Sequence, residues 1–376
     1  MKLTTAGESH GKGLFAILEG LPAGLTLDGG EIDAYLALRQ SGYGRGARQK
    51  IEHDRAEILS GVRNMVTLGS PVTVAVWNRD YANWKAYMAP EGCDSTARRL
   101  TKVRPGHADL SGLKKYGTED ARNVLERASA RETAVRVAAG TICRQLLRAL
   151  GVEISGYVRR VGEVSDETEY PFDALAGRLP ALFMLDAEKQ AEAMRFIDAC
   201  AAAGDTCGGV CELRVRGLKS GFGSCMTYAE KLDARLAAAL MSIQAVKGVE
   251  VGIGFRAAAL RGSAVHDEIF YDDAQGFFRK TDRAGGIEGG MSNGEEILLR
   301  IAMKPIPTLM RGLATADYVT HEGVRAAAER SDVCAVLACE VVAESVLCAA
   351  LAEVVLERLG ADNLADLKKR YEELPR

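Results

Sequence analysis

The chain has 376 residues, 47% of them hydrophobic and 26% charged, a composition that excludes a disordered or collagen-like protein and supports a sizeable core. Lys plus Arg (48) against Asp plus Glu (51) leaves a formal charge of −3, so no global basic field draws it to nucleic acid or an anionic membrane. Aromatic residues, at 6%, are too few for rows of stacking platforms under a single strand.

In chain order, Gly13 to Glu19 reads as a strand closed by the turn Gly20-Leu21-Pro22-Ala23-Gly24. Glu31 to Gln40 follows as an amphipathic helix carrying Ile32, Tyr35, Leu36 and Leu38. Pro71 to Trp77 is a further strand. Ser129-Ala130-Arg131-Glu132 has the spacing of a capping box and predicts a helix striped by Val135, Ala138, Ile142 and Leu146 and ended by Gly151. Strands are expected at Val152 to Val161, Val210 to Val215 and Val249 to Phe255. Between the last two, Gly217-Leu218-Lys219-Ser220-Gly221 turns into a helix over Tyr228 to Gln244, with Leu232, Leu236, Leu240 and Ile243 on one face. Two strand, Gly-Leu-x-x-Gly, helix units in one chain suggest an internal duplication.

A long helix, apolar nearly all round, is expected from Val333 to Leu359, with Asp332 placed to cap it. Glu340, Glu344, Glu353, Glu357 and Arg358 interrupt it too often for a membrane span. No Pro- or Ser-rich linker divides the chain, and the mixture of strands and helices reads as one α+β domain over residues 1–376. The N-terminus has no apolar signal region, and the nine scattered cysteines suit reduced thiols, so a cytoplasmic protein is expected. Cys207 and Cys211 lack the partners of a zinc site, and no metal is expected.

The local charge differs from the global one. Arg39 to Lys50 holds four cations and no acid; Arg98 to Lys115 holds six cations and one acid, Asp109. Glycines among these arginines let backbone N–H groups and guanidinium forks converge on an anion, and a small polyanion with phosphate and carboxylates is the ligand they suit. His10, in Gly7-Glu8-Ser9-His10-Gly11, and His107, after Arg104-Pro105-Gly106, are the candidate acid–base groups. Gly252-Ile253-Gly254-Phe255-Arg256-Ala257 fits a dinucleotide-binding pattern but lacks a surrounding βαβ unit and the acidic residue expected downstream.

These motifs resemble those of the chorismate synthase family. Gly7 to Gly11 with Glu19-Gly20-Leu21-Pro22 resembles its N-terminal signature. Glu126 to Thr133 (Glu-Arg-Ala-Ser-Ala-Arg-Glu-Thr) resembles the second, and Arg330-Ser331-Asp332-Val333-Cys334 with Glu340 and Glu344 the third. Ser41 to Gly46, Arg104 to Asp109, Gly285 to Gly290 and Lys304-Pro305-Ile306 are similar and in order; Phe15 and Ala128 depart from the usual residues. The likeness runs from about Thr5 to Leu359.

The resemblance implies a β-α-β sandwich with internal pseudo-symmetry, assembled as a homotetramer. It implies conversion of 5-enolpyruvylshikimate 3-phosphate to chorismate by 1,4-anti elimination of phosphate, requiring reduced FMN although no net redox change occurs. Arg39, Arg45, Arg48, Arg131 and Arg330 would bind the substrate. His10 would protonate the leaving phosphate, His107 would face the reduced flavin, and Asp332 would help flavin N5 handle the substrate proton. The implied FMN contacts are Arg127, Ala128, Ser129, Gln244, Ala245, Gly289, Lys304, Pro305, Ile306, Pro307, Thr308 and Arg330. Reduction of FMN by the chain itself with NADPH, or by an external flavin reductase, stays open at this point. So do two less favoured classes, an NAD(P)-linked oxidoreductase resting on the Gly252 pattern and an RNA-binding protein resting on the basic loops.

Overall fold

Two antiparallel sheets enclose a layer of helices. The computed structural model describes residues 1–46, 53–274, 276–326 and 331–375. The first sheet has four strands in the order Lys2–Gly7, Gly13–Glu19, Val72–Trp77, Glu57–Ser60. The second has five, in the order Val246–Val251, Ile297–Met303, Gly209–Arg216, Glu153–Val161, Val164–Ser165. Strand alternation decides which face turns inward: Leu14, Ala16 and Leu18 are fully buried, while Phe15 packs edge-on against Trp77 on the outer face.

Helix Thr133–Arg148 lies on the inner face of the first sheet and helix Val336–Leu359 on that of the second, and the two helices pack on each other. This is the expected β-α-β sandwich. It explains why the long helix is apolar on every side: it is covered by a sheet on one face and by helices on the others. The two helices meet closely enough that a Cβ on Gly140 would lie 2.2 Å from the Ser345 carbonyl oxygen. Where Glu340 and Glu344 enter this core, Arg178 donates to both, and Arg144 donates to Glu344 at 2.5 Å.

The duplication is visible in the topology. In each half two antiparallel strands are followed by a helix, two more strands and a second helix. Lys2–Gly7, Gly13–Glu19, helix Gly29–Gln40, Glu57–Ser60, Val72–Trp77 and helix Thr133–Arg148 correspond in order to Glu153–Val161, Gly209–Arg216, helix Leu232–Met241, Val246–Val251, Ile297–Met303 and helix Val336–Leu359. The four equivalent strands pair in the same order in both sheets.

Several boundaries differ from the sequence reading for local reasons. The first helix starts at Gly29 because Asp28 caps it, accepting from Gly30 and Glu31 N–H. Tyr228 to Gln244 divides into a 3-10 turn, Tyr228–Glu230, and the helix Leu232–Met241. Ser129 caps the 3-10 turn Ala130–Glu132, and Glu132 accepts from Thr5 and Gln244 side chains rather than closing a capping box. The strand expected at Val249 to Phe255 is Val246–Val251, at the edge of an antiparallel sheet, followed by the 3-10 turn Gly254–Ala259. With neither parallel strand nor α-helix there, the Gly252 pattern has no dinucleotide-binding geometry.

Candidate active site

A cavity of about 440 Å³ opens at one end of the sandwich. Residues from the starts of both inner helices line it: Ala130, Arg131 and Thr133 beside one, Ala335, Ala338 and Cys339 at the other. Both inner helices start at this cavity and therefore run in the same direction, so both positive dipole ends face the same space. Among the described residues, five cationic side chains, Arg39, Arg45, Arg104, Arg131 and Lys304, line it against a single acid, Asp332. Burial, opposed by Asp54 and reinforced by Arg131 and Arg45, pushes the Arg39 guanidinium down to about 10, still a cation at neutral pH. Burial and the nearby Lys247 hold the Lys304 ammonium below its ordinary value. Both shifts are relieved by an incoming anion.

The arginines are held from behind. Arg39 donates to Thr133 Oγ1 at 3.0 Å and approaches Asp54 at 3.6 Å. Arg131 donates to the same Asp54 at 2.6 Å and to Asn78 Oδ1 at 2.9 Å. One buried carboxylate therefore serves two guanidinium groups and leaves net positive charge toward the cavity. Arg45 pairs with Asp332 through Nη1 at 3.0 Å, while its buried Nε has no partner among the described residues.

Each histidine is anchored by a carboxylate. His10, in the turn between the first two strands, places Nδ1 2.9 Å from Glu126 Oε1 and stacks on Trp84 at 3.8 Å between ring centres. Burial raises the Glu126 carboxyl, but His10 and Arg122 outweigh it, and the group titrates below its ordinary value. His107 Nδ1 lies 2.5 Å from Asp109 Oδ1, and Arg104 grips both oxygens of the same carboxylate. Asp109 is likewise raised by burial and lowered further by His107 and Arg104, to well below the carboxylate range.

The Asp332 side chain does not cap the long helix, which begins at Val336. Its carboxylate accepts from Gly46 N–H at 2.5 Å and from Arg45, and so fastens two loops together.

Most of the residues singled out by sequence converge here: His10, His107, Asp332, Arg39, Arg45, Arg131, Ala128, Ser129, Gln244, Ala245, Lys304, Ile306, Pro307 and Thr308 line the cavity. Arg48 and Arg330 lie outside the described residues. Pro305 lies within the lining segment 304–308 but is not itself among the lining residues. The Arg127 side chain turns away to the first strand, donating to Gly7 and Thr5 carbonyls. Gly289 is remote from this cavity. Its neighbour Gly290 accepts from Leu232 at the start of a ten-residue helix whose far end leads to Gln244, a separation of about 15 Å at 1.5 Å per residue. Glu126, Asp109 and Arg104 stood in the motifs but were not assigned roles. Trp84, Asn78 and Asp54 carry no local signal and are recruited only by the fold.

A β-α-β sandwich with a cationic cavity walled by two carboxylate-anchored histidines has the make-up of an enzyme active site. A sequence model of the chorismate synthase family matches residues 1–356. Chorismate synthases of Desulforudis audaxviator and Geobacter sulfurreducens are 53% and 51% identical to it. These alignments cover 98% and 99% of this chain and 95% and 98% of the relatives. A crystal structure titled chorismate synthase superimposes with a TM-score of 0.78 at 39% identity, covering 99% of this chain and 96% of the other. The chain belongs to the chorismate synthase family, lyases of chorismate biosynthesis.

Proposed function

We propose that the chain converts 5-enolpyruvylshikimate 3-phosphate to chorismate, eliminating phosphate and the C6 proton in a 1,4-anti sense, with reduced FMN as its cofactor. The carrying observation is that five cations stand against one acid among the described lining residues, which suits a substrate with one phosphate and two carboxylates. Arg39, Arg45 and Arg131 hold these anionic groups, and Arg48 and Arg330, outside the described residues, are proposed to join them from their motif positions.

The residues present fit a flavin. Gln244 Oε1 and Arg45 Nε are buried, belong to residues that line the cavity and have no hydrogen-bond partner among the described residues, as expected of groups that bind a polar ligand. Ala245, beside Gln244, adopts a left-handed φ of 70°, a strained conformation for alanine and one that often marks a binding site. Ala128, Ser129, Gln244, Ala245 and the segment 304–308 would hold the cofactor. Reduced flavin supplies an electron-rich ring that can lend density to the carbon losing phosphate and recover it, which leaves the reaction redox-neutral.

His10 offers the edge of its ring opposite Glu126 to the departing phosphate oxygen and gives it a proton. His107 is tied to the 304–308 segment: Lys304 donates to the Gly106 carbonyl, and Arg104 approaches Thr308 Oγ1 at 3.4 Å. That supports a role for its ring as a donor toward the flavin. Asp332, the one acid among the described lining residues, receives the C6 proton. Assembly as a homotetramer is supported by an exposed apolar hairpin face, where Ile269, Tyr271 and Phe277 are each at least 60% accessible.

Anaerobic incubation of the purified chain with chemically reduced FMN and substrate tests the reading. Equal yields of chorismate and phosphate, with no net flavin oxidation, are expected. Oxidation of substrate, or no elimination with reduced FMN, refutes it. Replacing the chemical reductant by NADPH decides whether the chain reduces its own flavin.

A further inference from the structure

We propose that Glu126 and Asp109 are positioning residues that fix the tautomer of the two cavity histidines, so that His10 and His107 both present Nε2 to the reacting groups. This rests on the reading above, in which those two histidines exchange protons with the substrate side of the cavity.

A neutral imidazole carries its proton on either nitrogen, and only one of the two arrangements leaves the correct atom facing a given ligand. At both sites the same construction removes the choice. An ionised carboxylate can only accept hydrogen bonds. Glu126 is held ionised by Arg122 at 3.0 Å and by the His10 backbone N–H at 2.8 Å, and its two oxygens lie 2.9 and 3.1 Å from His10 Nδ1. Asp109 is 1% exposed and held ionised by the Arg104 fork at 2.8 and 3.1 Å and by the Arg104 backbone N–H. Its Oδ1 is 2.5 Å from His107 Nδ1, a separation at which a proton must lie between the two atoms. Arg104 Nη2 also comes within 3.1 Å of that nitrogen, but a guanidinium has no acceptor, so the Nδ1 proton goes to Asp109.

With Nδ1–H committed to the wall, Nε2 is the only ring nitrogen left toward the cavity that both residues line. Trp84 then limits rotation of the His10 ring from one face. The two motifs reach the same result by different routes. In one, histidine and acid are 116 residues apart and are joined by the fold; in the other they are two apart within a single turn. His266 and His321 have no carboxylate ion pair among the described residues, so the device is not general to the chain's histidines.

Nitrogen-15 solid-state NMR of the full chain labelled at its five histidines tests the proposal directly, with His10→Asn and His107→Asn providing the assignments. In the wild-type chain both rings are expected to carry a proton on Nδ1, so that Nε2 is the nitrogen that exchanges protons with the reacting groups: bare in the neutral ring, protonated in the imidazolium that donates. In Glu126→Gln, a shape-conserving change, the His10 signal should spread over both tautomers while His107 is unmoved. Turnover with reduced FMN should fall at least about tenfold, and by as much as about 10⁴-fold if the wrong tautomer dominates, with KM changed less than threefold. Asp109→Asn should do the same to His107 alone. A neutral wild-type ring protonated on Nε2 and bare on Nδ1, or a Glu126→Gln chain with unchanged kcat, overturns the proposal. The tautomer measurement needs neither substrate nor flavin. It therefore holds or fails separately from the proposed reaction.

Discussion

Replacing Asp332 by Asn separates a proton acceptor from a loop fastener. Its carboxylate holds Gly46 N–H and Arg45, with the two side chains 19% and 11% exposed. Asn keeps an oxygen for Gly46 N–H but turns an amide N–H₂ toward Arg45, so the ion pair is lost. A charge-assisted bond is worth about 1.5–3 kcal/mol when buried and exposed pairs about 0.2–1, so this partly screened pair contributes about 1–2 kcal/mol. At 1.4 kcal/mol per factor of ten, a pure fastener would weaken substrate binding about 5- to 30-fold and leave kcat near wild type. A carboxylate that receives the C6 proton predicts a different outcome: kcat at saturating substrate falls at least about a hundredfold, with flavin still bound. We expect the second. Anaerobic kinetics with reduced FMN over a range of substrate concentrations reads kcat and KM separately, and melting of the same preparation confirms the fold. A folded Asp332→Asn chain with ordinary kcat and raised KM would refute the acceptor role and leave Asp332 as a fastener.

Arg45→Met should lower substrate affinity about ten- to a hundredfold, the worth of a charge-assisted contact of about 1.5–3 kcal/mol; titration of the folded variant that finds less than a threefold change would remove Arg45 from the anion site. Gly140→Ala should destabilise the chain by about 1–3 kcal/mol, because its Cβ would meet the Ser345 carbonyl at 2.2 Å and neither helix backbone can yield; an unchanged midpoint in chemical denaturation would contradict the close approach. Asp109 has a folded-state value below its unfolded one, so its stabilisation is complete above about pH 4 and is withdrawn as the pH falls further. Asp109→Asn should therefore be less stable than wild type at pH 7 and lose less stability between pH 4 and 3, and parallel acid limbs for the two proteins would disprove the linkage.

The sequence by itself determined the strands with strict alternation, such as Gly13–Glu19, because a period of two commits one face to the core whatever lies across from it. It also determined the chemical character of the site, since cations without neighbouring acids, set among glycines, require an anion to relieve them. Where Val336–Leu359 begins was decided by tertiary structure: an all-round apolar helix shows no edge in its pattern, and the Asp332 side chain was taken up by Arg45 and Gly46 instead of a cap. The same holds for the wall behind the arginines and histidines. Asp54, Asn78 and Trp84 are ordinary residues in their own segments, and each acquires its role only by meeting Arg39, Arg131 or His10 across the fold. Local patterns report the face a residue must show; which distant side chain satisfies it depends on packing, and a one-dimensional sequence does not contain those distances.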